Sequence, residues 1–298
     1  ALQVLIPFFG ALISAMSFRA KFAWFISTVS IIFATILSIY AMPHATLGMS
    51  YSFGGWQAPI GIEYRLDAFS QPLIFFLNFV LLFLLLFGKK LIDQNVTKYI
   101  EDNRQHIFYS LLLFAHAGYL GIISTNDLFN LYVFIEISSL ATYVLMSQSR
   151  STRALLGAFD YLILGTIGAT LILIGVGFLF SITGSLNATD IATILKNLPS
   201  SKIAITGAVF FLVGAILKMA FFPMHFWMIR AYSAASSIAL TYLAAISSIV
   251  GLYIILRFMY FTIEIESIQQ NLSLILRGLA MATIVICTLL ALKTNTIK

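Results

Sequence analysis

The sequence has 298 residues, of which 60% are hydrophobic and only 9% charged, with a mean hydropathy of +0.99. An ordinary soluble domain carries about 25% charged residues, so this composition excludes one and indicates an integral membrane protein. A single cysteine, Cys287, and four histidines far apart in sequence, His44, His106, His116 and His225, exclude a disulfide framework, a cysteine-bound cluster and a metal or haem site read from spacing.

Nine apolar stretches succeed one another, near 2–17, 22–42, 68–87, 107–124, 128–146, 158–181, 203–228, 237–261 and 271–292. Most approach the roughly 20 residues that cross hydrocarbon as a helix. The first is short, but it lacks the basic leader and small-residue cleavage site of a signal sequence before Arg19, and it reads as a span. Between the second and third, residues 43–66 are rich in Gly, Pro and aromatics and predict an outer hairpin or short strands. Residues 88–106, "GKKLIDQNVTKYIEDNRQH", predict a charged inner loop. The long alternating segments of a membrane β-barrel, flexible linkers, exact repeats and a phosphate-cradling glycine loop are all missing. The predicted class is an all-α polytopic membrane helix bundle, and any redox cofactor would reside in other subunits.

Loop charges predict the orientation. With the N-terminus outside, the inner connections hold Arg19, Lys21, Lys89, Lys90, Lys98, Arg104, Arg150, Arg153, Arg230, Lys293 and Lys298, which makes eleven. The outer connections hold four, Arg65, Lys196, Lys202 and Arg257, so the positive-inside rule favours an outside N-terminus. The net charge of +6 is thereby used up in topology, and no basic face is left for nucleic acid.

Charges at depth carry the functional signal, because one at mid-span costs at least ~2.5 to 3.5 kcal/mol. Glu136 lies eight residues into its span, about 12 Å deep, too far to reach water. Lys218 is flanked by apolar sequence on both sides, and Pro223 then removes an N–H, leaves the carbonyl of Met219 without a helical partner and pushes Phe222 out of helical angles. The helix is expected to break one turn beyond the lysine, at a place where a broken membrane helix lines a hydrated path. A Glu136–Lys218 pair would let the lysine gain or lose a proton according to where the carboxylate points. The plainer alternatives are a hydrogen-bonded neutral carboxyl and a snorkelling lysine. His116 and His225 are candidate proton relays or satisfied packing residues. Ser138, Ser139, Ser247 and Ser248 read first as helix-packing residues. Arg257 and Arg277 read as interfacial or paired, and the phenylalanine-rich third span as lipid-facing.

The segments "NDLFNLYVFIEISSLATYVLM" and "KMAFFPMHFWMIRAYSAASS", with "GIEYRLDAFS" and "GSLNATDIA", resemble the hallmark segments of the proton antiporter-like membrane subunits. That family occurs in Mrp-type multisubunit Na+/H+ antiporters and in the proton-pumping arm of complex I, and the wording is nearest to the Mrp D subunit. The resemblance implies a fold of about fourteen helices with two inverted five-helix repeats, each containing a broken helix. It divides the chain into N-terminal spans 1–3 (1–106), a first repeat of spans 4–8 (107–261) and the start of a second (262–298). Members continue beyond "ALKTNTIK", so the second repeat is expected to be truncated here, in a fragment or a shortened gene product.

By motif, Glu136 and Lys218 fall on the family's glutamate and lysine, with Pro223 at its helix break. The onward lysine of the eighth span falls at Ile249, which cannot carry a proton, and water held by Ser247 and Ser248 is the expected bridge. Arg230 stands where an acid is common, Asp160 where a lysine is common, and Ile229, Ser236 and Ile238 where prolines are common. The expected function is a membrane subunit exchanging Na+ or K+ for H+, without cofactor or metal, in a bacterial cytoplasmic membrane with partner membrane subunits. The alternatives are a proton-translocating subunit of an NADH:quinone oxidoreductase and a degenerate, non-transporting structural subunit.

Overall fold

The computed structural model describes residues 1–46, 48–100, 104–148, 152–198, 201–263 and 266–293. Arg150 and Lys298 from the charge count lie outside the described residues. The elements in chain order are α1 (Leu2–Met16), α2 (Ala20–Ala45), β1 (Met49–Ser52), β2 (Glu63–Leu66), α3 (Ser70–Phe87), α4 (Lys89–Tyr99), α5 (Gln105–Ser124) and α6 (Leu128–Ser147). There follow α7 (Thr152–Thr183), α8 (Ala188–Asn197), α9 (Lys202–Lys218), α10 (Phe226–Ala234), α11 (Ser237–Phe261) and α12 (Glu266–Lys293).

Each apolar stretch read from the sequence is helical over most of its length, the seventh being interrupted between Lys218 and Phe226. Among the described residues, seven helices are long and apolar enough to cross a membrane by length and composition, whereas α1 has 15 residues and α9 has 17. The chain is a multi-pass membrane helix bundle. Its centre is α5, buried along almost its whole length and packed by α1, α2, α3, α6 and α11. On α3 the periodicity separates two faces: Ile74, Leu77, Leu81 and Leu85 are buried, while Phe76, Phe79, Phe83 and Phe87 point outward, as expected of a lipid-facing span.

Two expectations of loop structure met different outcomes. Residues 43–66 contain the hairpin, with β1 and β2 antiparallel and Met49 opposite Leu66. The interval 88–106 is not simply a loop, since it contains α4. Its Ile92 is fully buried, and the Lys89 ammonium sits 3.5 Å over the Trp24 ring, whose Nε1 donates to the Leu85 carbonyl. Docking of that apolar side is what makes a charged stretch helical.

Three of the short motifs meet at one end of the bundle. Glu63 Oε2 accepts from Asn126 Nδ2 at 2.9 Å and from Asn187 Nδ2 at 3.1 Å, and Asn126 also donates to Thr189 Oγ1. Asp127 caps α6 through the Asn130 amide, and Asn187 caps α8 through the amides of Thr189 and Asp190. The segments "GIEYRLDAFS", "NDLFN" and "GSLNATDIA" are therefore one structural knot joining β2, α6 and α8.

Arg257, read as interfacial or paired, is paired: its guanidinium bonds the carboxylate of Asp67, which also accepts from the Ser70 amide at 2.8 Å at the start of α3. Burial alone pushes the Asp67 carboxyl up, but the bonds and charge of Arg257 and the Ser70 contacts outweigh it and hold it below the ordinary carboxylate value. The stability this supplies is full above the unfolded value of about 3.9 and is lost as pH falls through the lower folded value. Asp67→Asn should lower the unfolding free energy by about 1–3 kcal/mol at neutral pH. In thermal melts of the purified protein, its deficit relative to wild type should shrink below about pH 4; a deficit unchanged at acid pH would contradict this assignment.

Candidate functional site

The site begins with two helices pressed together. A Cβ on Gly175 of α7 would lie 2.6 Å from the Phe211 backbone nitrogen of α9, and one on Gly214 would run into the Gly168 carbonyl. Only glycine allows this approach, and it brings the end of α9 across α7 to α6. There the Lys218 Nζ donates to Ser139 Oγ at 2.6 Å. Glu136 stands one turn earlier on α6, within Coulombic range of the ammonium. Among the described residues the amine's direct partner is Ser139, not Glu136. Sequence reasoning had set Ser139 aside as packing, and its only signal was its i+3 spacing from Glu136.

The break lies within a turn of where the sequence placed it, and it begins ahead of the proline. The helix α9 ends at Lys218 itself, ahead of Phe222 and Pro223. Ala220 adopts φ +56°, the Ala220 amide bonds the Leu217 carbonyl and the Phe221 amide bonds the Ile216 carbonyl. Those two bonds around a left-handed residue form a Schellman termination, usually built on glycine; Pro223 only prevents the helix from resuming. Trp227 Nε1 also donates to the Leu217 carbonyl at 3.1 Å, and the Phe222 amide donates to Thr283 Oγ1 of α12 at 3.1 Å. Beside the break a cavity of about 400 Å³ opens between α11 and α12, lined by Phe221, Leu252, Ser273 and Arg277 among others. Arg277 is held there by the carbonyl and hydroxyl of Ser273.

The remaining candidates separate into three groups. His225 immediately precedes α10, is 2% exposed, stacks on Phe226, and has no partner for either ring nitrogen among the described residues. A buried imidazole left that way calls for a polar guest. His116 is fully buried on α5 and bonds Asn78 and Tyr242. Ser247 bonds the Tyr232 hydroxyl at 3.1 Å, whereas Ser248 is exposed on α11, away from this group. Among the described residues, no three His, Cys, Asp or Glu side chains converge as a metal ion requires.

A broken helix whose terminal lysine reaches a glutamate-bearing neighbour matches the geometry implied by the sequence resemblance. The family described as NADH:quinone oxidoreductase/Mrp antiporter, TM, matches residues 125–298. The chain belongs to that family. This NADH:quinone oxidoreductase/Mrp antiporter chain is similar to the NADH-quinone oxidoreductase subunit N of Desulforudis audaxviator (strain MP104C), with 36% identity over 271 residues, 88% of this chain and 52% of that protein. It is also similar to the antiporter subunit mnhD2 of Staphylococcus aureus (strain JH9), 31% identical over 290 residues, 96% of this chain and 56% of that protein. It thus spans about half the length of these relatives. Among solved structures, a chain of the membrane-bound sulfane sulfur reductase, an archaeal respiratory membrane complex, shares the fold with a TM-score of 0.80 at 24% identity, over 94% of this chain and 56% of that one.

Proposed function

We propose that the chain is a membrane subunit of a multisubunit monovalent cation/proton antiporter, and that protons move through Glu136 and Lys218. The observation that carries this reading is the Lys218 amine at the end of a broken helix, bonded to Ser139 one turn from Glu136. An ammonium in that position is favoured while the Glu136 carboxylate is charged and near, and its proton is released when the carboxylate is neutral or turned away. Ser139 holds the amine in place through either state, because a hydroxyl can accept from an ammonium or donate to a free amine. His225, beyond Pro223, is the proposed contact with the hydrated side of the break. The same reading places the chain in a bacterial cytoplasmic membrane with its N-terminus outside, beside partner membrane subunits, with residues 107–261 as a first repeat and 262–298 opening a second.

The test is cation-driven proton movement in everted vesicles bearing the assembled complex, for wild type and Glu136→Gln. The glutamine keeps the shape and loses the charge, so exchange should collapse while assembly persists. Exchange at the wild-type rate would overturn the reading. The second reading, a proton-translocating subunit of an NADH:quinone oxidoreductase, is favoured by the higher identity to the subunit N relative. It predicts that proton movement in the same vesicles follows NADH oxidation, not an imposed Na+ or K+ gradient.

A further inference from the structure

At Ile249, α11 carries an isoleucine where the resemblance implies a lysine to receive the Lys218 proton, and the buried His116 of α5 has so far been given no part in this function. His116, in the middle of α5, is 0% exposed, and it is gripped from two other helices. Its Nε2 is 3.0 Å from Asn78 Oδ1 on α3, and its Nδ1 is 3.4 Å from the Tyr242 hydroxyl on α11. An amide oxygen can only accept, so Nε2 carries the hydrogen and Nδ1 is the basic atom, facing Tyr242. Asn78 Nδ2, also buried, has no partner among the described residues.

Between this histidine and Lys218 lies a cluster of tyrosines from five helices, four of them buried and Tyr232 half-buried. Tyr143 is one turn beyond Ser139 on α6, and its hydroxyl is buried. Its ring packs edge-on to Tyr161 of α7 at 4.5 Å. Tyr119 of α5 has the hydroxyls of Tyr143, Tyr161, Tyr232 and Tyr242 within electrostatic range, and its ring lies 6.4 Å from that of Tyr242. Packing alone has no use for an imidazole, an amide and five phenols in hydrocarbon, where leucine would be cheaper.

We infer that His116, set by Asn78 and faced by Tyr242, is the proton-carrying residue that takes over from Lys218 in this chain, in place of the residue missing at Ile249. Ile249 lies two turns along α11 from Tyr242, on the same side of the helix and about 10 Å away. The proton leaves the Lys218 ammonium, which becomes a neutral amine, and arrives at His116 Nδ1, which becomes an imidazolium. The ring returns to neutral when Nδ1 gives that proton to a water molecule, which becomes hydronium and carries it onward, while Nε2–H stays on Asn78 Oδ1.

This rests on the proposed function, and its test uses the same everted vesicles with the complete assembled complex. His116→Gln keeps polar atoms for Asn78 and Tyr242 but cannot take a proton; transport should fall roughly tenfold or more with assembly unchanged. Tyr242→Phe, which removes only the hydroxyl facing Nδ1, should also slow transport. Adding Ile249→Lys to His116→Gln should restore it, which repair of mere packing would not do. Wild-type transport in His116→Gln or in Tyr242→Phe overturns the inference, as does a double variant that stays as slow as His116→Gln. Lys218→Ala, run alongside, separates the two ideas. If it transports normally, the proposed function fails; if it is inactive while His116→Gln is normal, only this inference fails.

Discussion

Replacing Lys218 by alanine is expected to reduce cation-driven proton movement by roughly 10²-fold or more, the usual effect of deleting a positioned proton donor or acceptor. The lysine makes one side-chain hydrogen bond, to Ser139, and sits at a helix end that is terminated by backbone bonds of Ala220 and Phe221. Its loss should therefore leave the fold and the amount of assembled complex close to normal. Lys218→Arg gives the sharper result. Arginine retains the positive charge but does not release a proton in a protein, so a proton carrier is disabled by the change, whereas a purely electrostatic anchor survives it. Rates in everted vesicles, normalised to assembled complex, decide the matter. An arginine variant working at the wild-type rate would mean that the amine never gives up its proton.

Gly214→Val is expected to damage both stability and transport. A Cβ at Gly214 would meet the Gly168 carbonyl, and it would lie 2.8 Å from Ile172 Cγ1 and 2.9 Å from the Ile172 backbone nitrogen. Backbone cannot step aside as a flexible side chain can, so α7 and α9 must separate. Overpacking of this kind costs about 1–3 kcal/mol, and more where backbone must shift. Lys218 lies one turn beyond Gly214, so separation withdraws its amine from Ser139. A lowered melting temperature of the purified complex together with slowed exchange is the expected pair of results. An unaltered melting temperature would show that the helices are not held by this contact.

The two variants also mark what the sequence could and could not reveal. The apolar stretches and the hairpin were legible because hydrocarbon and turn chemistry each impose a pattern on consecutive residues. Glu136 and Lys218 could be singled out because burial of a charge is costly wherever it occurs. The end of α9 was misplaced because the residue that turns the chain is Ala220, which carries no glycine signal, while Pro223 draws attention downstream. Ser139 was passed over because its importance comes from a helix distant in sequence. Arg230 and Asp160 were read as two separate departures from the family pattern, yet the structure joins them at 3.3 Å. The resemblance implies an acid at 230 and a lysine at 160; this chain has a base and an acid there, and they face each other. The exposed pair adds little stability.

The hydrogen bond from the Phe222 amide to Thr283 gives the bent segment a mechanical link to α12. A motion of the kink away from α12 has to give up that bond, at about 0.5–1.5 kcal/mol where water can replace it and more where it cannot. A displacement of the ninth apolar stretch is therefore felt at Phe222, four residues from the lysine.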